Sequence, residues 1–322
     1  MPRRRIGQLS WLDGALQRRQ ARRGDPLMEI ARLVDWAPFE RLLDGIHRAA
    51  KGEAAYPPLM MFKVLLLQRW YGLSDPAMEA ALFDRMSFLA FAGLSSEDAT
   101  PDHATIWRFR QKLAEDGLSE RLFGELARQL EARRVVVKHG TLIDASLITS
   151  AARRPSVEAG PTSPVDPDAR FGANNERRRF SFGYKLHVAV DEGSRLVRRL
   201  RLTPANVQEV TMARDLVPED AGAVYADRGY DSAGLRDWLA QRGIAAAIMR
   251  RGRPGRPLPA AEIARNHALA LTRRRVEAVF GTLKRSYGFH RMPYFSLARN
   301  AVACTLACMA FNLRRWRVCA AG

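Results

Sequence analysis

From about Pro57 to Arg134 the apolar residues recur at helical spacing. Leu59, Phe62, Leu65, Leu66 and Trp70 fall along one stripe, and Ser74 with Asp75-Pro76 has the composition of a cap and first turn. After a turn at Gly93-Leu94-Ser95-Ser96, Thr100-Pro101-Asp102 opens another helix carrying Ile106, Phe109 and Leu113. The basic positions of that helix are Arg108, Arg110 and Lys112. Arg108 and Lys112 point away from the stripe and Arg110 lies nearer its margin. DNA recognition needs such a basic face, although many surface helices carry one.

The texture changes near Val135. Val135 to Val137 and Thr141-Leu142-Ile143-Asp144 read as a strand ending in an acid. Residues 151–180 read as a loop, with Pro155, Pro161, Pro164, Pro167 and the cluster Arg177-Arg178-Arg179. Tyr184 to Val190 alternate as a strand, and Leu196 to Leu202 pair with it through Asp191-Glu192-Gly193. A helix is expected around Val207 to Leu216, a strand at Ala223 to Asp227, a helix near Ala233 to Gln241 and a strand at Ala245 to Met249. A basic Pro/Gly turn, Arg250 to Pro259, leads into long C-terminal helices. The order predicts an α/β fold, a mixed sheet flanked by helices, preceded by an all-α region.

Charge adds a partner. The 322 residues hold 52 Lys+Arg against 34 Asp+Glu, a net charge of +18, and only six of the 52 are Lys. Arginine's forked donors suit phosphate, so a polyanion is the expected partner. Residues 1–24 carry seven arginines against one acid, Asp13, as a mobile arm does. Cys304, Cys308 and Cys319 form no CxxC pair, which argues against a disulfide framework or zinc site and for a reducing cytoplasm. The longest apolar stretch, Ala301 to Leu313, is too short for a bilayer, so no membrane role is expected.

Asp144 and Asp227 both close short apolar runs. On the helix containing Arg273 to Phe280, the residues Val276, Val279, Phe280 and Leu283 form the buried stripe at about 100° per residue. Arg273, Glu277, Gly281 and Lys284 share another face, within about 40° of Glu277. Three converging carboxylates suit a pair of Mg²⁺ or Mn²⁺ ions in phosphoryl transfer. Taken singly, each acid also has a structural reading: a strand-end cap, a turn residue before Arg228-Gly229, or an ion pair with Arg273. Asp191, Asp231 and Glu262 compete on the same terms. The chain contains no GK[ST] phosphate loop.

Read together, several stretches resemble the DDE transposases of bacterial insertion sequences, specifically the insertion-sequence-5 group. They are Tyr56 to Asp75 (YPPLMMFKVLLLQRWYGLSD), Thr100 to Arg110 (TPDHATIWRFR), Ile143-Asp-Ala-Ser-Leu-Ile, Phe182-Gly-Tyr-Lys-Leu-His-Val-Ala-Val-Asp, Ala226-Asp-Arg-Gly-Tyr-Asp-Ser, Arg275-Val-Glu-Ala-Val-Phe-Gly-Thr-Leu-Lys-Arg and Ala310-Phe-Asn-Leu-Arg-Arg. The resemblance spans about residues 56 to 315. It implies an RNase H-like catalytic domain with Asp144, Asp227 and Glu277 as the catalytic, metal-binding triad. Arg273 and Lys284 match the group's R-x3-E-x6-K signature, while Ala270 stands where a Tyr often precedes that Arg. The 49 residues between Asp227 and Glu277 leave little room for a large β insertion.

The implied organisation is a basic arm and first helices over 1–50, a helix-turn-helix-like DNA-binding domain over 51–134, a catalytic domain over 135–316 and a tail over 317–322. The implied cofactor is Mg²⁺, with Mn²⁺ as substitute. The implied partner is double-stranded DNA, both terminal inverted repeats and target, bound by a homo-oligomer in the bacterial cytoplasm at the nucleoid. Arg108, Arg110, Lys112, Arg177, Arg178 and Arg179 are the candidate DNA contacts, with Arg250, Arg251 and Arg253 as further phosphate binders. Two other classes explain part of the pattern: a non-catalytic helix-turn-helix regulator, and an RNase H-like nuclease that cuts without joining.

Overall fold

The computed structural model describes residues 4–8, 11, 13–15, 18, 24–46, 54–156, 160–174, 179–252 and 255–321. They divide into two compact units, one of residues 1–133 with 305–322, the other of residues 134–304.

The first unit is helical: α1 (Pro26–Leu33), α2 (Ala37–Leu43), α3 (Pro58–Tyr71), α4 (Asp75–Asp84), α5 (Met86–Ala92), α6 (His103–Glu115) and α7 (Leu118–Ala132). The expected caps are in place. The Ser74 hydroxyl accepts from the Ala77 N–H at 3.3 Å, and the Asp102 carboxylate accepts from the Thr105 N–H at 2.7 Å. Phe62, Leu65 and Leu66 are fully buried, and the Phe39 and Phe62 rings stack at 5.7 Å between centroids. The Trp70 indole donates to the Ala310 carbonyl at 2.7 Å, so the end of the chain packs with the first unit's core.

The second unit is built on a six-stranded mixed sheet: β1 (Thr141–Thr149), β2 (Arg170–Asn174), β3 (Arg179–Asp191), β4 (Val197–Pro204), β5 (Ala223–Ala226) and β6 (Ala245–Ile248). β3 pairs antiparallel with β1 along one edge and with β2 and β4 along the other. β1, β5 and β6 are neighbours and run parallel. A 3₁₀ turn (Glu209–Met212) leads into α8 (Ala213–Leu216), and α9 (Ala233–Ala240) connects β5 to β6. α10 (Ala260–Tyr287) and α11 (Leu297–Ala321) complete the chain, α11 beginning in the second unit and ending in the first. Ile143, Ala189, Val224, Ala226 and Ile248 pack on one face of the sheet with Leu216, Leu235 and Leu239. α10 packs on β1 and β5 and buries Val276, Val279, Phe280 and Leu283, the stripe its periodicity predicts.

Three expectations are corrected here. Val135 to Val137 form no strand, because the Val137 and Lys138 amides donate to the Asp191 carboxylate at 3.1 and 2.9 Å. β1 does not end at Asp144. It continues to Thr149 because residues 145–149 pair with Gly183–His187 of β3. The segment read as loop contains β2, whose partners are the first residues of β3.

Candidate active site

Strand register brings the two aspartates together. In the parallel pair β1 and β5, Thr141 stands opposite Val224 and Leu142 opposite Tyr225. Extended two residues beyond its last pair, that offset carries Asp144 toward Asp227, the cap of the turn after β5, and the two carboxylates act on each other as like charges. Side chains alternate along a strand, so both carboxylates project from the face opposite Ile143 and Ala226, the face on which α10 lies. The offset between β5 and β6 adds Met249 to the same row. The Arg273 guanidinium, from α10, bridges this row. Its Nη2 lies 3.2 Å from Asp144 Oδ2, and its Nη1 donates to Met249 Sδ at 3.8 Å.

Each aspartate is also held by its own backbone. Asp144 Oδ1 accepts from the Ala145 N–H at 2.9 Å, and Asp227 Oδ1 accepts from the Gly229 N–H at 2.7 Å. The latter caps the short 3₁₀ turn Arg228–Tyr230. Gly229 is where a side chain has no room, since a Cβ there would lie 2.8 Å from Asp227 Oδ1 and 3.1 Å from Glu209 Oε2. Burial pushes the Asp144 carboxyl up to about 7. Arg273 and the Ala145 N–H pull it down, and the charges of Asp227 and Glu209 raise it further.

A third acid, Glu209, joins the pair from the turn after β4. Its Oε1 is 3.5 Å from Lys185 Nζ, which also donates to the Val207 carbonyl at 2.9 Å. Burial raises the Glu209 pKa, Lys185 opposes that, and Asp227 adds to it. The Tyr230 hydroxyl is fully buried with no hydrogen-bond partner. Burial raises its pKa well above the ordinary tyrosine value, and Asp144, Glu209 and Asp227 raise it further. Neither Glu209 nor Tyr230 was singled out from sequence. Glu209 sits in an irregular turn without periodicity, and the tyrosine in Arg228-Gly229-Tyr230 reads as one more core aromatic.

Glu277 lies one helical turn beyond Arg273 on α10, exposed, and Lys284 two turns further, partly exposed. Among the described residues, no three His, Cys, Asp or Glu side chains are already grouped as metal ligands. The donor chemistry nevertheless fits a hard divalent cation. Asp144, Asp227 and Glu209 offer carboxylate oxygens, and Tyr230 an unsatisfied hydroxyl.

The residues expected to contact DNA fall into different settings. Arg108 is exposed, its Nε donating to the Ala104 carbonyl at 3.2 Å. Lys112 is partly exposed and pairs with Asp116 at 3.0 Å and Glu115 at 3.7 Å. Arg110 is not presented to solvent. It is 3 % exposed, with Nη1 3.1 Å from Asp75 Oδ2 and Nη2 2.9 Å from Gln68 Oε1. The margin of the apolar stripe is therefore inside the packing of α6 on α4. Arg177 and Arg178 lie outside the described residues, as does Arg253. Arg179 opens β3, and its side chain is also outside them. Arg250 pairs with Asp231 at 3.6 Å, and the Arg251 N–H donates to the same carboxylate at 2.8 Å.

Asp144 within β1 and Asp227 just past the end of β5 are two interacting carboxylates, the first of them touched by Arg273 from the covering helix. Comparison with known proteins narrows the class. The family model described as transposase DDE domain matches residues 137–313, more than half of the chain, and a model described as transposase domain (DUF772) matches residues 15–112. The chain belongs to the DDE transposase domain family, whose members use divalent metal ions, and it is a DNA-binding enzyme that cleaves and transfers DNA strands. The solved structure of a piggyBac transposase synaptic complex with hairpin DNA aligns with 92 % of this chain and 76 % of that one, at a TM-score of 0.42 and 11 % identity. The fold agrees with the family: an RNase H-like catalytic domain after a helical region. No helix among the described residues is long and apolar enough to cross a membrane.

Proposed function

We propose that this transposase belongs to the insertion-sequence-5 group and that Asp144, Asp227 and Glu277 are its catalytic carboxylates, holding Mg²⁺, with Mn²⁺ as substitute. The observation that carries this reading is the pairing of β1 with β5, with Asp144 and Asp227 two residues beyond the last pair and their charges acting on each other. Glu277 is supported by its place one turn from Arg273, which already touches Asp144. A bound divalent cation would supply Lewis-acid polarisation of the scissile phosphate and a more acidic water.

The chain's own residues bind and orient. Asp144 and Asp227 are fixed by backbone amides and hold the cation; Arg273 balances their charge and, with Lys284, offers donors to a DNA phosphate. In the first step a water oxygen attacks phosphorus at a transposon end and gives up a proton to solvent, while the P–O3′ bond breaks and the leaving O3′ takes up a proton, leaving a 5′-phosphate and a 3′-hydroxyl. In the second, that hydroxyl oxygen loses its proton to solvent and attacks a target phosphodiester in line, the target's own P–O3′ bond breaks, and the departing O3′ takes up a proton. The first unit, through α6 with Arg108 and Lys112, recognises the ends, and the protein works as a homo-oligomer because two ends must be joined to one target.

The test incubates the purified protein with DNA carrying its coding segment and flanks plus a plasmid target, in Mg²⁺ or EDTA. Mg²⁺-dependent cutting at both ends, followed by joined products, is expected. Cutting without joined products identifies a hydrolase, and salt-sensitive binding without cutting overturns the catalytic reading.

A further inference from the structure

Glu209 is unexplained by the triad. It is displaced from Asp144 and Asp227 in sequence, being neither on the strands nor on α10, yet it reaches the same place. Asp227 Oδ1 and Glu209 Oε2 both lie within about 3 Å of the single point a Gly229 Cβ would occupy, at 2.8 and 3.1 Å. Gly229 is thus the spacer that keeps two carboxylates apart without a side chain between them. Asp227 and Glu209 act on each other as like charges, a repulsion that a cation held by both would relieve.

The independent sign of a ligand is Tyr230. Its hydroxyl is fully buried and has no partner, which costs about 1–3 kcal/mol in a folded protein unless something arrives to satisfy it. The charges that act on it are those of the site itself, Asp144, Glu209 and Asp227 with Arg273 opposing them. Two acids, Asp227 and Glu209, reach this point, and the cations that touch the site's acids are Lys185 on Glu209 and Arg273 on Asp144.

We infer that Glu209 is a further cation-holding carboxylate of this site, acting with Asp227 across Gly229, and that the Tyr230 hydroxyl donates to an oxygen bound there. Lys185 is its counter-charge, competing with a cation for the carboxylate, and is held in its own place by the Val207 carbonyl. This rests on the reading of Asp144 and Asp227 as cation ligands and adds an acid from outside the triad.

Isothermal titration calorimetry of the full chain with Mn²⁺ alone, without DNA, tests it. Removing a ligand or its immediate support weakens a metal site by about 10- to 100-fold. Glu209→Gln is expected to lose at least tenfold in Mn²⁺ affinity while DNA binding and melting temperature stay unchanged. Glu219→Gln, at an exposed acid elsewhere, should bind Mn²⁺ as the wild type does. Lys185→Met removes a repelling charge and should tighten Mn²⁺ binding severalfold, an effect that a purely structural ion pair would not give. Wild-type affinity in both Glu209→Gln and Lys185→Met, beside a weakened Asp227→Asn, overturns the role of Glu209 and leaves the aspartates' role standing. Wild-type affinity in Asp227→Asn overturns both. Where Glu209→Gln does not melt cooperatively, Lys185→Met alone decides, and unchanged Mn²⁺ affinity there overturns the inference.

Discussion

Burial decides the chemistry of the ionisable side chains in the sheet. His187, on β3, is fully buried, with its ring nitrogen 2.9 Å from Thr203 Oγ1; burial, aided by Lys185, lowers its pKa from 6.5 to about 4. A histidine that stays neutral in the fold but protonates in the unfolded chain leaves the unfolded state binding more protons between pH 6.5 and 4. Stability is therefore whole above pH 6.5 and falls as the pH drops toward 4, by about 3 kcal/mol from this residue. Denaturant melts at pH 7 and pH 4 check it: His187→Gln should lose less stability than the wild type over that range. Equal losses would show that His187 is not what senses the acid. Asp144 and Asp227 stand out in the sequence because each follows an apolar run, whereas Glu209 and the orphan hydroxyl of Tyr230 depend on a turn's path and leave no mark in a linear pattern.

Helices were easier to read than strands. Caps and stripes are local, so Ser74, Asp102 and the Val276 to Leu283 stripe landed where the periodicity put them. β1 past Asp144, and β2, owe their state to β3, a partner distant in sequence, and Val135 to Val137 lost their strand to the Asp191 carboxylate. On α6 one helix separates two roles that composition merges. Arg110→Ala breaks a buried pair with Asp75 and should cost about 3 kcal/mol in chemical denaturation. Arg108→Ala and Lys112→Ala break only a local bond to the Ala104 carbonyl and surface ion pairs, and should leave stability within about 0.5 kcal/mol while weakening DNA binding in a filter or fluorescence assay. The reverse pattern, with Arg110 mattering only to DNA, would contradict the packing described here.

At the scale of the whole molecule, the charge of +18 makes backbone contact with DNA a principal source of affinity. If six to ten phosphates are engaged, affinity measured at 50 and 200 mM salt should fall by about 10³ to 10⁵, and a flat salt response would show that the excess arginine serves something else. The division into two units was legible at the break near Arg134. That residues 305–322 return to the first unit was not, because a continuous apolar helix carries no mark of where its packing partner changes. The role proposed for Asp144 and Asp227 is to hold the divalent cation on which DNA cutting depends. Its most direct test is the single-turnover cleavage rate at a transposon end in Mg²⁺, compared for the wild type, Asp144→Asn and Asp227→Asn at matched DNA occupancy. Each substitution should reduce cutting at least about 10³-fold with the melting temperature and DNA affinity unchanged. Cutting at the wild-type rate by either variant would contradict it.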